Sequence, residues 1–299
     1  RPNQPSFALR SNTLRSKLIQ NTYTGEAGMW NWIVKILIIM ALIVGVLLLR
    51  TFYHAGSFRK AESSFNGVCQ SIELEQNGEP AIIGVEDIVI DHERGVAYLS
   101  SVDRRGLIGT RGAIYLLPLN SDTAPETLRD ITQGEPALFS PHGIDLHINA
   151  AGERRIFAVN HREHPEAEVS SITIYKMSET GLLDVEADIV DEKIYRPNDV
   201  AAVSETEFYV TNDLMSDWNS LDQTLDLFAV RNSGNLVHYK NGDTQIVAGP
   251  YAMPNGVSYN PSSDQVFVAE TLKGRILGFS RNADGTLQSI GKVNANTAV

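Results

Sequence analysis

Four polar residues recur at an almost constant interval along this chain, each at the start of an alternating apolar pattern. The interval is about 56 residues, and the four are Glu86, His142, Asn198 and Asn255. Two acids, Asp87 and Asp199, directly follow members of this set. Carboxylate and carboxamide oxygens, without thiols or three histidines, are ligands for a hard cation, Ca²⁺ first and Mg²⁺ or Mn²⁺ next. A single Asn-Gly or Pro-Asn-Asp stretch is an ordinary turn, so the prediction of metal ligation depends on the shared register.

The one histidine in the set, His142, departs from this oxygen pattern. A hard cation prefers oxygen, and a histidine beside a Lewis-acid metal is well placed to act as a general base. A second histidine, His161, ends the next predicted strand of the same unit. Because antiparallel neighbours bring a strand start close to the next strand's end, we expect the two imidazoles to meet. The alternative is that His161 belongs to a surface turn with Arg162 and His164.

Other chemistries lack their signatures in this sequence. It contains no G-x-S-x-G nucleophile motif, P-loop, dinucleotide fingerprint, zinc-ligand spacing or nucleic-acid-binding module.

The single cysteine, Cys69, lies outside the repeated segments and is either an unpaired thiol or half of a disulfide. The chain has 36 acidic and 25 basic residues, yet residues 1–60 contain eight of the bases and one acid. The remainder is therefore strongly acidic, which repels nucleic acid and suits cations.

The four polar residues belong to four sequence repeats. Each repeat has a polar residue, Gly or Asp, an alternating strand, a turn and a second apolar strand, as in PNDVAAVSETEFYVTND. Further strand-like runs lie at 113–119, 171–177, 235–240 and 275–280. About four short strands per repeat, with no convincing amphipathic helix, predict an all-β propeller; a β-sandwich with accidental spacing is the alternative. Since every blade's innermost strand starts at one rim of the channel, we expect the four polar residues to share one cavity.

An apolar stretch near the N-terminus, WNWIVKILIIMALIVGVLLL, has one charged residue, Lys35. It is long enough for a transmembrane helix, with Trp30 and Trp32 suited to the interface. A cleaved signal peptide fits less well, because about thirty mostly polar residues precede the stretch and no A-x-A-like site follows it. We expect a single-pass signal anchor with the acidic body on the lumenal or extracellular side. The predicted division is a polar tail 1–29, the transmembrane segment 30–50, a linker 51–80 and a partial catalytic propeller 81–299.

Several motifs together resemble the serum paraoxonase/arylesterase family. They are GVEDIVI, SPHGIDLHI, FAVNHRE, RPNDVAAVSETEFYVTND and PNGVSYNPSSDQVFVAET, in that order with similar spacing. The resemblance implies a six-bladed propeller, of which about four blades are present here, with two axial calcium ions. It implies that the catalytic calcium is bound by Glu86, Asn198 and Asn255. It implies that the structural calcium is bound by Asp87, Asp199 and the backbone carbonyl of Ile144.

The resemblance also implies a reaction. A His142–His161 dyad would activate water while calcium polarises the carbonyl of a lactone or aryl ester. Cys69 would form a disulfide between the chain ends, and a further Asp-Asn ligand pair would follow Val299, so we expect a C-terminally truncated member of the family. Two alternatives stay open: a membrane-tethered binding module with structural calcium, and a gluconolactonase-like propeller with one metal. The histidine pair favours an enzyme over a binding module, and Asp87 with Asp199 favours two ions.

Overall fold

The computed structural model describes residues 11–54, 56–58, 67–68, 74–76, 79–80, 82–104, 111–119, 128–132, 139–164, 167–217 and 220–295. Cys69 lies outside these residues, so its predicted disulfide stays a prediction. The chain divides into two compact units, residues 1–50 and 51–299.

The N-terminal helix, α1, spans Ser11–His54. Its segment Met29–His54 is the one part of the described chain that is long and apolar enough to cross a bilayer. Apolar side chains along this segment, such as Leu42 and Leu49, are exposed. The Lys35 ammonium lies 5.3 Å from the centre of the Trp32 ring, a cation–π distance. The helix thus contains the apolar span of residues 30–50 and begins 19 residues before it.

Four antiparallel four-stranded sheets follow, after a ribbon of β1 (Glu75–Gln76) and β2 (Glu79–Pro80). The first blade contains β3 (Val85–Asp91), β4 (Val96–Ser101), β5 (Ala113–Pro118) and β6 (Arg129–Asp130). The second contains β7 (Pro141–Ile148), β8 (Arg154–His164), β9 (Ala167–Met177) and β10 (Leu183–Ile189). The third contains β11 (Pro197–Ser204), β12 (Glu207–Asn212), β13 (Gly234–Lys240) and β14 (Asp243–Tyr251). The fourth contains β15 (Pro254–Asn260), β16 (Gln265–Glu270), β17 (Arg275–Arg281) and β18 (Leu287–Asn294).

Strand order within each sheet follows the chain, so each blade is a simple meander. This topology confirms the β-propeller architecture and excludes the sandwich, whose strands would alternate between two packed sheets. The strands predicted at 113–119, 171–177, 235–240 and 275–280 are the third strands of the four blades. Each third strand pairs with the second strand of its blade on one side and with the fourth on the other.

The hydrophobic core lies between consecutive blades. Tyr98 of the first blade packs with Ile156 and Tyr175 of the second, and Phe157 of the second packs with Phe208 of the third. β12 of the third blade is buried along its whole length, because the second and fourth blades cover its two faces. β16 of the fourth blade alternates between buried and partly exposed residues. The complete burial of β12 explains its run Phe208-Tyr209-Val210, where apolar residues follow one another without alternation.

Buried arginines join the blades at the end of the first strands that is remote from the polar residues. Arg154 Nε donates to Asp91 Oδ2 at 2.5 Å between the first and second blades. Arg155 Nη1 donates to Glu205 Oε1 at 2.9 Å between the second and third. Charge-assisted bonds of this kind are stronger than neutral ones, so they help to fix the relative position of the first strands.

One helix of the body was missed by the sequence analysis. Helix α2 spans Leu221–Phe228, and the Ser220 hydroxyl caps it by accepting from the Gln223 amide at 3.0 Å. The Ser-x-x-Gln pattern is the start of a capping box, a signal that was available in the sequence. The helix is only eight residues long, too short to show clear amphipathic periodicity. A single 3₁₀ turn, Thr271–Lys273, completes the described elements.

Candidate active site

The four polar residues occupy the same position in their blades. Each is the second residue of a first strand, directly after Val85 in β3 and after a proline in β7, β11 and β15. Together with the residue that follows each, they line one cavity of about 90 Å³. Its lining consists of Glu86, Asp87, His142, Gly143, Asn198, Asp199, Asn255 and Gly256. The structure thus brings eight residues from four separate sequence segments into one place.

Aspartate and glycine alternate around this cavity. The first and third blades place Asp87 and Asp199 after the polar residue, whereas the second and fourth place Gly143 and Gly256. A Cβ on Gly143 would overlap the Oδ1 and Cα atoms of Asp199. Gly143 therefore provides the space that the Asp199 carboxylate fills. A Cβ on Gly256 would meet Asp199 Oδ2 at 3.8 Å, an ordinary contact.

Both cavity aspartates link their own strand to the first strand of the next blade. Asp87 Oδ1 accepts from the Ile88 amide and Oδ2 from the Ile144 amide, each at 2.8 Å. Asp199 makes the same pair of bonds, to Val200 at 2.8 Å and to Val257 at 2.7 Å. The predicted backbone ligand Ile144 is buried but is not among the described residues that line the cavity; its amide serves Asp87.

A third aspartate, which the sequence analysis missed, uses the same geometry two residues deeper along the strand. Asp145 Oδ1 accepts from the Leu146 amide and Oδ2 from the Ala202 amide of the third blade, each at 2.8 Å. Burial, together with the neighbouring charge of Asp87, raises the pKa of Asp145 to about 6. Burial also raises the pKa of Asp87, and raises that of Asp199 well above its usual value. The negative charges of these neighbouring carboxylates repel one another, which contributes to the raised pKa values.

Two buried hydroxyls tie the starts of the first strands to one another. Ser100 Oγ accepts from the Asp87 amide at 3.1 Å and donates to the His142 carbonyl at 2.5 Å. Thr211 Oγ1 accepts from the Asp199 amide at 3.2 Å and donates to the Asn255 carbonyl at 2.6 Å. Each hydroxyl lies on the second strand of a blade that carries a cavity aspartate. The two contacts repeat between the first and second blades and between the third and fourth.

The imidazole rings of His142 and His161 are in contact, as the sequence analysis expected. Their ring centroids are 5.2 Å apart with an interplanar angle of 67°, an edge-to-face arrangement. His161 lies within β8, which continues to His164, and faces Ser170 of β9, whose Oγ is 3.0 Å from His161 Nδ1. His161 is partly buried, so its environment differs from that of the exposed turn considered as the alternative.

An arginine joins His142 to Glu86. Arg104 Nη1 lies 2.7 Å from Glu86 Oε2, and Arg104 Nη2 contacts His142 Nδ1. A guanidinium only donates hydrogen bonds, so Nδ1 must be the unprotonated nitrogen of His142. His142 Nε2 lies 3.4 Å from Glu86 Oε1, which leaves the ring proton facing the carboxylate. No motif in the sequence pointed to Arg104, because it follows β4 and reaches the cavity through space.

Both histidines are held in the neutral form. Burial, together with the charge of Arg104, lowers the pKa of His142 to about 3. Burial, His142, Arg104 and Arg196 lower the pKa of His161 to about 3. The guanidinium of Arg196 is itself buried and lies 3.1 Å from Asp213. Each imidazole therefore offers a lone pair at neutral pH.

The donor chemistry of the cavity fits a hard cation. Its lining provides carboxylate and carboxamide oxygens, and a positive ion would relieve the repulsion among the crowded aspartates. Within the described ranges, no three His, Cys, Asp or Glu side chains form a ready group of metal ligands. Cation binding here would therefore depend on the two asparagines as well as the acids.

Comparison with known proteins gives a consistent family relationship. Residues 94–299 match the family model described as Arylesterase. The chain is 26% identical over 222 residues to serum paraoxonase/arylesterase 2 of Gallus gallus, covering 72% of this chain and 61% of that protein. It is 25% identical over 279 residues to serum paraoxonase/arylesterase 1 of Homo sapiens, covering 89% and 75%. It is 27% identical over 192 residues to serum paraoxonase/arylesterase 2 of Bos taurus, covering 63% and 52%. The chain thus spans between half and three quarters of the length of these relatives.

The solved structures that match part of the chain are more distant in sequence. The periplasmic gluconolactonase of Pseudomonas aeruginosa is 11% identical with a TM-score of 0.44, covering 72% of this chain and 60% of that one. A chain of the nidogen/laminin complex is 18% identical with a TM-score of 0.44, covering 67% and 61%.

Proposed function

The chain belongs to the arylesterase family, and from this premise we propose that it is a calcium-dependent hydrolase of lactones and aryl esters. The observation that carries the proposal is the convergence of four blade starts on one cavity beside a pair of contacting neutral histidines. A structural cation site has no need of such a pair. The relatives named serum paraoxonase/arylesterase support ester hydrolysis as the class of reaction.

The residues of the cavity divide into those that hold a cation and those that handle protons. We assign one calcium ion to Glu86, Asn198 and Asn255, and a deeper ion to Asp87, Asp199 and the Ile144 carbonyl. When bound, calcium supplies Lewis-acid polarisation of the ester carbonyl and electrostatic stabilisation of the oxyanion. The hydroxyls of Ser100 and Thr211 keep the first strands in register so that these ligands stay together.

His142 is the proposed general base. Its Nδ1 carries the lone pair in this structure and takes a proton from the attacking water. His161 packs edge-to-face against the His142 ring and is fixed in turn by Ser170. Its proposed role is to orient His142 and to exclude water from one side of the ring. Arg104 must move off Nδ1 before the reaction, because a lone pair that accepts a hydrogen bond from a guanidinium cannot at the same time take a proton from water.

Hydrolysis assays of the full 299-residue chain test this function. An aryl acetate and a simple lactone are incubated with the protein in calcium buffer and, separately, after exhaustive chelation. We expect hydrolysis of both substrates in calcium and its loss in chelator, with recovery when calcium is restored. Activity that survives chelation would rule out the calcium role, and absence of hydrolysis in both buffers would reject the proposed function for this 299-residue chain.

Membrane anchoring is a second part of the proposal. The apolar segment Met29–His54 of α1, with its exposed apolar side chains, supports a single-pass anchor. The acidic composition of the chain beyond residue 60 leads us to propose that the propeller lies on the lumenal or extracellular side. Protease digestion of sealed microsomes tests the orientation. We expect the propeller to be protected until detergent is added. Digestion of the propeller in intact microsomes would indicate the opposite orientation, with the propeller on the cytosolic side.

A further inference from the structure

Arg104 pairs with Glu86, a carboxylate that a cation in the cavity would need as a ligand. Its Nη1 lies 2.7 Å from Glu86 Oε2, and Glu86 is one of the three carboxylates that line the cavity. A guanidinium and a divalent cation repel each other, so both cannot be held closely by one carboxylate without loss of affinity. The Arg104–Glu86 pair is therefore in competition with any cation that enters the cavity.

The pair is weak enough to be displaced. The Arg104 and Glu86 side chains are 37% and 38% exposed, and exposed ion pairs contribute about 0.2–1 kcal/mol. Arg104 also has a long flexible stem, which allows its head to swing away while the backbone stays in place. Displacement by a cation thus requires neither unfolding nor movement of β3.

A displaced guanidinium would stay beside the proposed base. Arg104 Nη2 contacts His142 Nδ1, so the head group lies next to the nitrogen that is proposed to take the proton. Within the described ranges Glu86 is the carboxylate that pairs with this guanidinium, and the planar fork freed from it matches a carboxylate or phosphate group. The body of the chain is otherwise strongly acidic, which makes a basic group at this point unusual.

We propose that Arg104 is a specificity-determining residue: a divalent cation displaces it from Glu86, and the freed guanidinium then binds an anionic group on the ligand. This inference rests on the proposed function, because it concerns the same cavity. Its consequence is that calcium and an anionic ligand bind cooperatively, and linkage makes the effect of each on the other equal. Esters or lactones with a carboxylate or phosphate near the reacting carbonyl would be preferred over neutral ones.

Calorimetric titration of the full chain with Ca²⁺ tests the competition without using activity. We compare the wild type with Arg104→Gln, Arg104→Lys and a control, Arg94→Gln, which removes one positive charge from the same blade outside the cavity lining. We expect Arg104→Gln to bind calcium about two- to fivefold more tightly, from the exposed-pair range. Arg104→Lys should stay near the wild type because the charge is kept, and Arg94→Gln should change little.

Benzoate, an anion, and benzamide, its neutral analogue, test ligand binding. We expect the wild type to bind benzoate more tightly in calcium than in chelator, Arg104→Gln to lose this difference, and benzamide to show none. Unchanged or weaker calcium binding by Arg104→Gln, or equal benzoate binding by both proteins, would overturn the proposal. In that case ester hydrolysis in calcium would leave the proposed function intact. If Arg104 competes with calcium for Glu86 but no ester is hydrolysed, only the proposed hydrolase function is rejected. If no variant binds calcium, both the hydrolase function and the role of Arg104 are rejected.

Discussion

Gly143 of the second blade lies directly against the Asp199 carboxylate of the third. A Cβ at Gly143 would overlap both Asp199 Oδ1 and Asp199 Cα, and the Asn198 carbonyl would be 2.7 Å away. The glycine is therefore required by close approach between two blades, since no left-handed backbone is found at this residue. The space that it leaves is what allows a carboxylate to face the cavity from the next blade.

Gly143→Ala should therefore damage the site. We expect a loss of about 1–3 kcal/mol in the free energy of unfolding, the range for overpacking a well-packed region, and weaker calcium binding. Gly256→Ala is the matched control, because its Cβ would meet only ordinary contacts at 3.8 Å. Denaturant titration of both variants measures the difference. Equal stability of the two variants would show that the blades shift easily to make room.

The hydroxyl contacts give a second prediction. Thr211→Val keeps the shape of the side chain but leaves the Asp199 amide and the Asn255 carbonyl without their partner. Leaving buried polar groups unpaired costs about 1–3 kcal/mol, and we expect that loss in denaturant unfolding. Thr211→Ser retains the hydroxyl and should lose less than Thr211→Val. If the serine variant is the less stable of the two, packing of the methyl group matters more than the hydrogen bonds.

The repeat explains how much of this site was predictable. Period and register alone identified Glu86, His142, Asn198 and Asn255 as neighbours, because position in the blade fixes position at the channel. Arg104 and Asp145 were not predicted, since their roles depend on contacts between blades that no local pattern encodes. The hydroxyls of Ser100 and Thr211 were missed for the same reason. They lie in apolar second strands where a small polar residue carries no signal of its own.

The histidine pKa values predict a pH dependence of stability. Because the folded pKa of His142 is about 3 and the unfolded value is about 6.5, the unfolded state binds more protons between these values. The contribution of His142 is thus fully present above about pH 6.5 and decreases as the pH falls. Between pH 7 and pH 5 the decrease is about 2 kcal/mol.

The raised pKa of Asp145 has the opposite effect on stability. A carboxyl group whose pKa is higher in the folded state binds more protons there, so it stabilises the folded state as the pH falls. The histidine effect must therefore be isolated by comparing the wild type with His142→Gln. Denaturant unfolding in chelator at pH 7 and pH 5 is the measurement. We expect the wild type to lose about 2 kcal/mol more than the variant over this range. Parallel losses would mean that His142 is protonated in the folded state at pH 5.

His142→Gln also provides the sharpest test of the chemistry. Glutamine retains a polar side chain but has no lone pair basic enough to take a proton from water, so we expect lactone and aryl ester turnover to fall by roughly 10²–10⁴. Calcium affinity should stay close to that of the wild type, because the proposed ligands are oxygens of other residues. His161→Gln should reduce turnover less, since His161 acts by orienting its neighbour.

Two variants serve as controls for this measurement. His147→Gln makes the same substitution further along β7, outside the cavity lining, and should leave turnover unchanged. Glu86→Gln should behave differently from His142→Gln by losing calcium affinity together with rate, because Glu86 is a proposed ligand. Turnover of each variant is measured at saturating calcium, alongside calorimetric calcium binding. Near-normal turnover by His142→Gln would remove the base assignment, and His142 would then be a lining residue whose neutral ring only shapes the cavity.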